Sequence, residues 1–586
     1  SARLAATALR PGPRGGKPAS QPIARPAGLT RRDRLARAAR LGLTGLAAAL
    51  PLTFLGIFFA WPAATLVARG LVSDAALDLS GFGDVFARPR TWRIIGQTLA
   101  QAAAATALAL AAAVPAAHVL YRRRFPGRGA VRVLLTLPFV LPAVVVGVAF
   151  RSLLAPSGPL GGLGLDGTMW AIVSALAFFN VGLAVRLVGT FWAVLDPRPA
   201  QAARALGASP ARAFLTVVLP ALTPAIASAA ALIFLFCATA FGTVLILGGA
   251  RFGTIETEIW VQTTQMLDLR AAAVLSVAQL AVVALVLGLG GAARARRERA
   301  LRLRAQPARA AAQPPLGKGD AAAAAATGIV LLAIAAPIAT LVVRSLKTAG
   351  GWGLANYARL GASGGLTGLP VSLADAAQRS VRVALHATGL ALALGLCIAL
   401  VLTRRPRGRA GRWALGALDG AFMLPLGVSA VTVGFGFLIT LDRPPLDLRD
   451  SPLLVPIAQA VVAIPLVVRS LLPVLRAIDP RQREAAAVLG AAPARVFATV
   501  ELPVLARSLG LAAGLAFAVA LGEFGATSFL SRPESATLPV AIFRLLGRPG
   551  AQNFGAALAA CVVLATMTSL AMAFAERFRV PGTADL

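Results

Sequence analysis

Apolar runs longer than 18 residues recur along almost the whole of this 586-residue chain, and about 20 such residues in a helix cross a hydrocarbon layer roughly 30 Å thick. Lipid, not water, is therefore the solvent for most of the sequence. Only 14% of the residues are charged, against about 25% in soluble domains. Backbone polar groups in lipid must be satisfied inside their own segment, so the spans are predicted to be helices. They are expected near 42–68, 94–121, 133–156, 168–195, 221–249 and 271–293, then near 321–345, 380–403, 413–441, 452–477, 504–530 and 553–575. The fold class is thus an all-α polytopic membrane protein with about twelve transmembrane helices, six in each half.

The segments between these spans divide the chain further. Residues 1–40 are rich in Arg, Pro, Gly and Ala and lack an apolar core, so they read as a disordered basic tail and not as a signal peptide. Residues 41–293 and 321–577 form the two halves, and 578–586 form a short tail. Between the halves, 294–320 is dense in Arg and contains Pro307, Pro314 and Pro315, which predicts a linker with little structure of its own. Arg122 to Arg124, the 294–304 run, and Arg404, Arg405, Arg407 and Arg409 fall on one side of the spans, which places both termini in the cytoplasm. The formal charge of +34 is then a topology signal. No aromatic residues interleave with it as a nucleic-acid surface would require.

Metal and nucleotide chemistry find no foothold in the sequence. Cys237, Cys397 and Cys561 lie singly inside apolar spans, and His118 and His386 are isolated, so neither a disulfide framework nor a metal site is expected. Gly162 to Gly167 satisfies a GxGxxG pattern, but it follows no strand. Gly16-Lys17 lacks the upstream glycine of a phosphate loop.

The two halves repeat. Shifted by 283 residues without a gap, DPRPAQAARALGASPARAFLTVVLP (196–220) falls on DPRQREAAAVLGAAPARVFATVELP (479–503), with 16 of 25 positions identical. Alanine enrichment does not align Asp196 with Asp479, Gly207 with Gly490 or Phe214 with Phe497. The same shift pairs Phe241-Gly242 with Phe524-Gly525, Thr254 with Thr537 and Arg186 with Arg469. An even number of crossings per half makes the repeats parallel, related by a pseudo-twofold axis along the membrane normal. Each repeated loop starts with Asp-Pro, continues through an Ala-rich helix and meets a glycine able to end it. A short exposed helix is predicted on the cytoplasmic side of each half.

Glu484-Ala485-Ala486, then Gly490 and Val500-Glu501-Leu502-Pro503, resemble the EAA loop of ABC importer permeases, and Gln201-Ala202-Ala203, Gly207 and Val217-Val218-Leu219-Pro220 give a second copy. The stretches LGEFGATSFLSRPESATLP and VAIFRLLGRPG (521–550) resemble the fused permeases of thiamine and iron(III) importers, and the thiamine type most. Sulfate and molybdate permeases share the GEFGAT-like stretch but carry one half per chain. The resemblance implies the fold of type I importer permeases and residence in a bacterial inner membrane. It also implies two copies of a separate ATPase subunit docked on the two loops, an extracytoplasmic solute-binding protein, no cofactor on this chain, and no catalysis by it, with ATP used by the partner. Gln201, Ala202, Ala203, Gly207, Glu484, Ala485, Ala486 and Gly490 would be the ATPase contacts. Gln201 departs from the Glu of the pattern, which suggests unequal docking.

Ionisable groups inside the spans are few. A charge at the bilayer centre costs at least about 2.5–3.5 kcal/mol, so Glu523, whose repeat counterpart is Ala240, is either a path-lining carboxylate favouring a cationic solute or a packing group bonded to a nearby Ser, Thr or amide. Phe524, Phe241 and Asn180 complete the candidate translocation path. An ion-coupled secondary transporter with parallel repeats is the rival from another class. It leaves the repeated loop without a purpose.

Overall fold

The computed structural model describes residue 42 and residues 45–578 apart from 74, 75, 250, 305–312, 349, 363–368, 405–407 and 445. The tails expected at 1–40 and 578–586 lie almost entirely outside the described residues. In the first half the helices are α1 (Gly45–Leu71), α2 (Pro89–Arg122), α3 (Arg128–Val140), α4 (Ala143–Leu154), α5 (Met169–Val194), α6 (Arg198–Ala205), α7 (Pro210–Ala238), α8 (Gly242–Gly248), α9 (Ile255–Thr264) and α10 (Leu269–Arg304). The second half follows with α11 (Ala321–Ser345), α12 (Leu373–Leu402), α13 (Arg409–Met423), α14 (Ala430–Thr440), α15 (Leu454–Ala477), α16 (Pro480–Val488), α17 (Ala494–Gly522), α18 (Thr527–Leu530), α19 (Leu538–Leu546) and α20 (Ala551–Glu576). Each label in the second half is ten higher than its counterpart in the first.

The duplication extends to irregular detail. A π-helical turn interrupts α7 at Phe214–Val218 and α17 at Phe497–Glu501, 283 residues apart. A two-residue antiparallel hairpin follows the first helix of each half, β1–β2 (Val72–Ser73 with Ala76–Leu77) and β3–β4 (Lys347–Thr348 with Gly351–Trp352). A third hairpin, β5–β6 (Asp442–Arg443 with Leu446–Asp447), follows α14. The first amide of α9, on Ile255, is capped by the Thr98 hydroxyl at 3.0 Å, and that of α19, on Leu538, by the Ser380 hydroxyl at 2.7 Å. Hydroxyls on α2 and α12 thus close equivalent helix ends, which leave donors without partners inside the helix itself.

Ten of the twelve expected spans are continuous helices, and the third of each half is broken. The span expected at 133–156 is α3 and α4, bent by 104° at Leu141-Pro142. The span expected at 413–441 is α13, a 3-10 turn at Leu424–Gly427, and α14. Proline supplies the first break, because Pro142 has no amide to continue α3. Ser429 supplies the second by capping α14, accepting from the Thr432 amide at 3.0 Å. With 12 residues, α4 rises only about 18 Å, so neither it nor α14 crosses a bilayer alone. The fifth spans also end early: α7 stops at Ala238 and α17 at Gly522, and a short helix follows each.

Small residues set how closely the long helices approach. Ala102, Ala105, Ala109, Ala113, Ala116 and Ala117 of α2 are fully buried at 0% exposure, on the side packed against α5 and α7. A Cβ placed on Gly514 would lie 2.3 Å from the Ala575 Cβ, so α17 and α20 meet there without room for a methyl group. The first helix of each half crosses to the other half. Leu55 and Phe59 of α1 are buried among residues of α12 and α15, while Ile334 of α11 is buried in the cluster formed by α2, α5 and α7. The halves are therefore clasped by exchanged arms.

The stretch expected to be a linker with little structure is largely ordered. Residues 294–304 continue α10 as helix. After the undescribed 305–312, the chain docks on the corner between α2 and α3, where Arg124 pairs with Pro315. The Arg124 amide donates to the Pro314 carbonyl at 3.0 Å, and the Leu316 amide donates to the Arg124 carbonyl at 3.1 Å. Proline disfavours a helix here but suits an extended strand whose amides are not all needed.

Candidate functional site

The two repeated loops lie at the same end of the bundle as the α2–α3 and α12–α13 corners. Asp196 accepts the Arg198 amide at 3.0 Å and Asp479 the Arg481 amide at 2.9 Å, so each aspartate caps the start of its helix as the Asp-Pro pattern predicts. Each helix then ends identically. The Ala208 amide returns to the Ala203 carbonyl at 3.0 Å and the Gly207 amide to Arg204 at 3.0 Å. In the other copy the Ala491 amide returns to Ala486 at 3.1 Å and the Gly490 amide to Ala487 at 3.0 Å. This is the Schellman closure, which requires a left-handed residue after the helix. Gly207 (φ 89°) and Gly490 (φ 82°) supply it.

At each tip a leucine stands in the open: Leu206 is 90% exposed and its counterpart Leu489 is 87% exposed. Gln201, Ala202, Glu484 and Ala485 are exposed beside them, with Ala203 and Ala486 partly covered. The copies differ behind the tip. Arg483 of α16 pairs with Glu501 in the π turn of α17 at 2.6 Å and donates to the Leu475 carbonyl at 3.1 Å. Their counterparts, Ala200 and Val218, cannot form that pair. The two copies thus differ at these two positions as well as at Gln201 and Glu484.

Just after the ends of α7 and α17 the repeats meet. Phe241, just after α7, and Phe524, just after α17, are counterparts, and their rings stack with centroids 5.4 Å apart and an interplanar angle of 17°. Trp260 of α9 and Phe543 of α19 are likewise counterparts and meet edge-on at 5.8 Å. Phe524 also packs on Phe543 at 5.3 Å, and Phe241 on Trp260 at 6.5 Å. Residues paired by one internal repeat touch one another only on the symmetry axis. Four rings therefore pack together on that axis, with Phe241 7% and Phe524 3% exposed. Trp260 and Phe543 were not singled out in the sequence, although the shift of 283 that pairs the two phenylalanines pairs these as well.

Glu523 sits where α17 ends and not within a helix. Its carboxylate accepts the Ala526 amide at 2.7 Å, the Thr527 amide at 3.1 Å and the Thr527 hydroxyl. Both oxygens are thus turned back onto the start of α18, the arrangement of a packing carboxylate. Glu523→Gln replaces one acceptor oxygen with a donor facing an amide, at a cost of about 1–3 kcal/mol. Thermal unfolding of the purified variant is expected at lower temperature, with unchanged discrimination among solutes in those molecules that remain folded. Asn180 lies apart from the ring cluster, between α5 and α7, donating to the Leu176 carbonyl at 2.9 Å and to Cys237 Sγ at 3.5 Å. A buried carboxylate that the sequence reading passed over, Glu256 of α9, accepts from Ser429 Oγ at 2.8 Å and so ties the first half to the second.

At the opposite, hairpin end, Asp78 is held down at about 2, below its ordinary 3.8, chiefly by hydrogen bonds from the Ser80 hydroxyl and amide and then by Arg270 at 2.5 Å. A depressed carboxyl pKa contributes above its unfolded value and is lost as pH falls through the folded one. This tie to the start of α10 therefore holds throughout the neutral range.

Residues 105–299 match the family described as the binding-protein-dependent transport system inner membrane component. The chain is 28% identical over 533 residues to the thiamine transport system permease protein ThiP of Brucella abortus, covering 87% of this chain and 92% of that protein. The chain is a fused two-domain permease carrying that component. The ThiP protein of Escherichia coli K12 is 28% identical over 477 residues, 79% of this permease and 85% of the relative. A sulfate transport system permease protein, CysT of Salmonella typhimurium, is 36% identical over 139 residues, covering 23% of this permease and 50% of CysT. Among solved structures, a bacterial ABC transporter involved in import of the polysaccharide alginate matches with 19% identity and a TM-score of 0.37, over 46% of this permease and 96% of that chain. The permease is a multi-span inner-membrane component of a binding-protein-dependent ABC importer.

Proposed function

We propose that this permease forms the translocation path for thiamine or its phosphates and that two copies of a separate ATPase subunit drive it through α6 and α16. The observation that carries the coupling role is the pair of Schellman-closed loops, each presenting an exposed leucine. An isolated apolar tip in water has no structural use, and a large apolar side chain contributes about 1.5–3 kcal/mol when a partner covers it. Similarity to ThiP proteins along most of the chain supports the solute. Positive-inside bias puts the loop end and both termini in the cytoplasm. The hairpin end then faces the solute-binding protein, and it presents Leu163, Leu267, Trp352 and Leu354 to solvent at 61–74% exposure. Thiamine is passed inward when ATP-driven closure of the ATPase pair separates the rings on the axis, and hydrolysis, which belongs to the partner, resets them. Solute selection rests mainly with the binding protein.

Uptake of labelled thiamine by cells lacking their own thiamine importer, supplied with this permease and the ATPase and binding protein encoded beside it, tests the reading. Thiamine accumulation without ferric iron accumulation is expected. Iron accumulation alone would assign the permease to iron(III) import. Transport by the purified permease in vesicles without an ATPase would assign it to ion-coupled transport.

A further inference from the structure

Two carboxylates of α9 are buried, and their surroundings differ. Glu258 accepts from Arg90 Nε and Nη2, each at 2.9 Å, and from Gln262 Nε2 at 2.9 Å. Its charge is answered by a guanidinium. Glu256 is fully buried at 0% exposure; its Oε2 accepts from Ser429 Oγ at 2.8 Å, while its Oε1 has no hydrogen-bond partner. Gln279 of α10 lies beside it, with its amide nitrogen donating to the Ala238 carbonyl at 3.3 Å. Among the described residues no Lys, Arg or His pairs with Glu256. A carboxylate buried without a cation is destabilising.

The internal repeat shows that the fold does not require this group. Pro539 is the counterpart of Glu256 under the shift of 283, and Pro142 stands before α4 where Ser429 stands before α14. In that copy α19 packs on α4 as α9 packs on α14, with two prolines in place of the carboxylate and the hydroxyl. The position adjoins the rings on the axis. Trp260 is four residues after Glu256 and so lies on the same face of α9. The Thr254 hydroxyl at the start of α9 donates to the Ala240 carbonyl, next to Phe241, at 3.0 Å. Ala430, next to Ser429, lies so close to Gly525 that a Cβ there would meet the Ala430 Cβ at 2.9 Å, and Gly525 follows Phe524. Glu256 is therefore placed between the segments that carry the two stacked phenylalanines.

We propose that Glu256 holds the positive charge of an organic cation as it passes the rings on the axis, with Trp260 as the aromatic face beside it. Ring faces attract a cation, and the unpartnered Oε1 supplies the counter-charge once the rings part. A metal ion suits the place less well. Hard ions take several oxygen ligands, and among the described residues no three His, Cys, Asp or Glu side chains are grouped to hold one. The inference rests on the reading above that the solute is thiamine, whose thiazolium ring carries a permanent positive charge, and it names the residue that recognises that charge inside the permease.

The initial rate of labelled thiamine uptake, in cells lacking their own importer and supplied with the permease, its ATPase and its binding protein, tests it. Glu256→Gln keeps an oxygen to accept from Ser429 but loses the charge, and is expected to lower the rate about tenfold, the effect of one charge-assisted hydrogen bond. Thermal unfolding of the purified variant is expected at an unchanged or higher temperature, because a buried charge without a partner has gone. Glu256→Asp restores most of the rate. Ser429→Ala, which breaks the tie between the halves and keeps the charge, lowers the rate less than Glu256→Gln does. A loss in Ser429→Ala as large as in Glu256→Gln, or an unfolding temperature of Glu256→Gln that falls along with its rate, makes the tie the important feature and overturns the cation role. Full uptake by folded Glu256→Gln, with the parent also carrying thiamine, overturns this inference alone. No thiamine uptake by the parent overturns the solute reading, and this inference with it.

Discussion

Changing Leu206 and Leu489 together to Asp is expected to abolish thiamine uptake while the permease still folds and inserts. Both side chains are almost wholly in solvent, so their removal costs the permease itself almost nothing. A surface substitution away from special contacts changes stability by within about 0.5 kcal/mol. Docking is another matter. Covering one leucine is worth about 2 kcal/mol, which corresponds to about 30-fold in affinity for each loop, and an aspartate in its place must also be desolvated against the partner. The measurement is co-purification of the ATPase with the permease, followed by uptake. Single variants separate the two halves. Leu206→Asp is expected to act more severely than Leu489→Asp, because the Arg483–Glu501 pair braces α16 against α17 and, among the described residues, no such ion pair braces α6. Retention of both ATPase copies and of full uptake in the double variant would refute the coupling role of these loops. Equal effects of the two single variants would refute the asymmetry.

The loops were legible in the sequence because their signals are local. Asp-Pro, an Ala-rich turn and a glycine at fixed spacing prescribe a cap, a helix and a left-handed stop, each decided by neighbouring residues. Their coincidence in two copies removed the ambiguity of either one. The long spans were legible for a different reason, since 20 apolar residues have few other uses. Breaks inside apolar stretches were not. Residues 133–156 and 413–441 read as continuous by hydropathy, which counts apolar atoms and is blind to a chain that turns through 104° at Leu141-Pro142. The same blindness put Glu523 deep in a span, when it lies at a helix end and caps the next turn. Docking of 313–320 escaped the reading because a Pro-rich segment carries no record of its partner, here the far-off corner at Arg124. The ring cluster was half legible: the shift of 283 named counterparts, but only the folded chain shows that counterparts on a twofold axis can touch.

That contact yields the second large effect. Phe241→Ala with Phe524→Ala is expected to make the permease leak solute down its gradient without ATP. The two rings are stacked and buried on the axis, so a solute crossing along that axis must part them. Each Phe→Ala change in a packed interior costs about 3–5 kcal/mol, a loss borne mainly by the closed state in which the rings touch. In the open state they are already apart and lose less. The equilibrium therefore shifts toward open by the difference between the two losses, and a ligand or mutation shifts populations only by such a difference. If half of one ring's contribution is specific to the closed state, about 2 kcal/mol, the open fraction rises about 30-fold. Neither single variant should reach the double, because the remaining ring still packs against Trp260 or Phe543. The assay is efflux of preloaded labelled thiamine from vesicles holding the permease and its ATPase, without nucleotide. Phe241→Leu with Phe524→Leu keeps most of the volume and is expected to stay tight, which separates loss of the seal from loss of aromatic character. A double alanine variant that is folded and as impermeable as the parent would place the barrier elsewhere along the path.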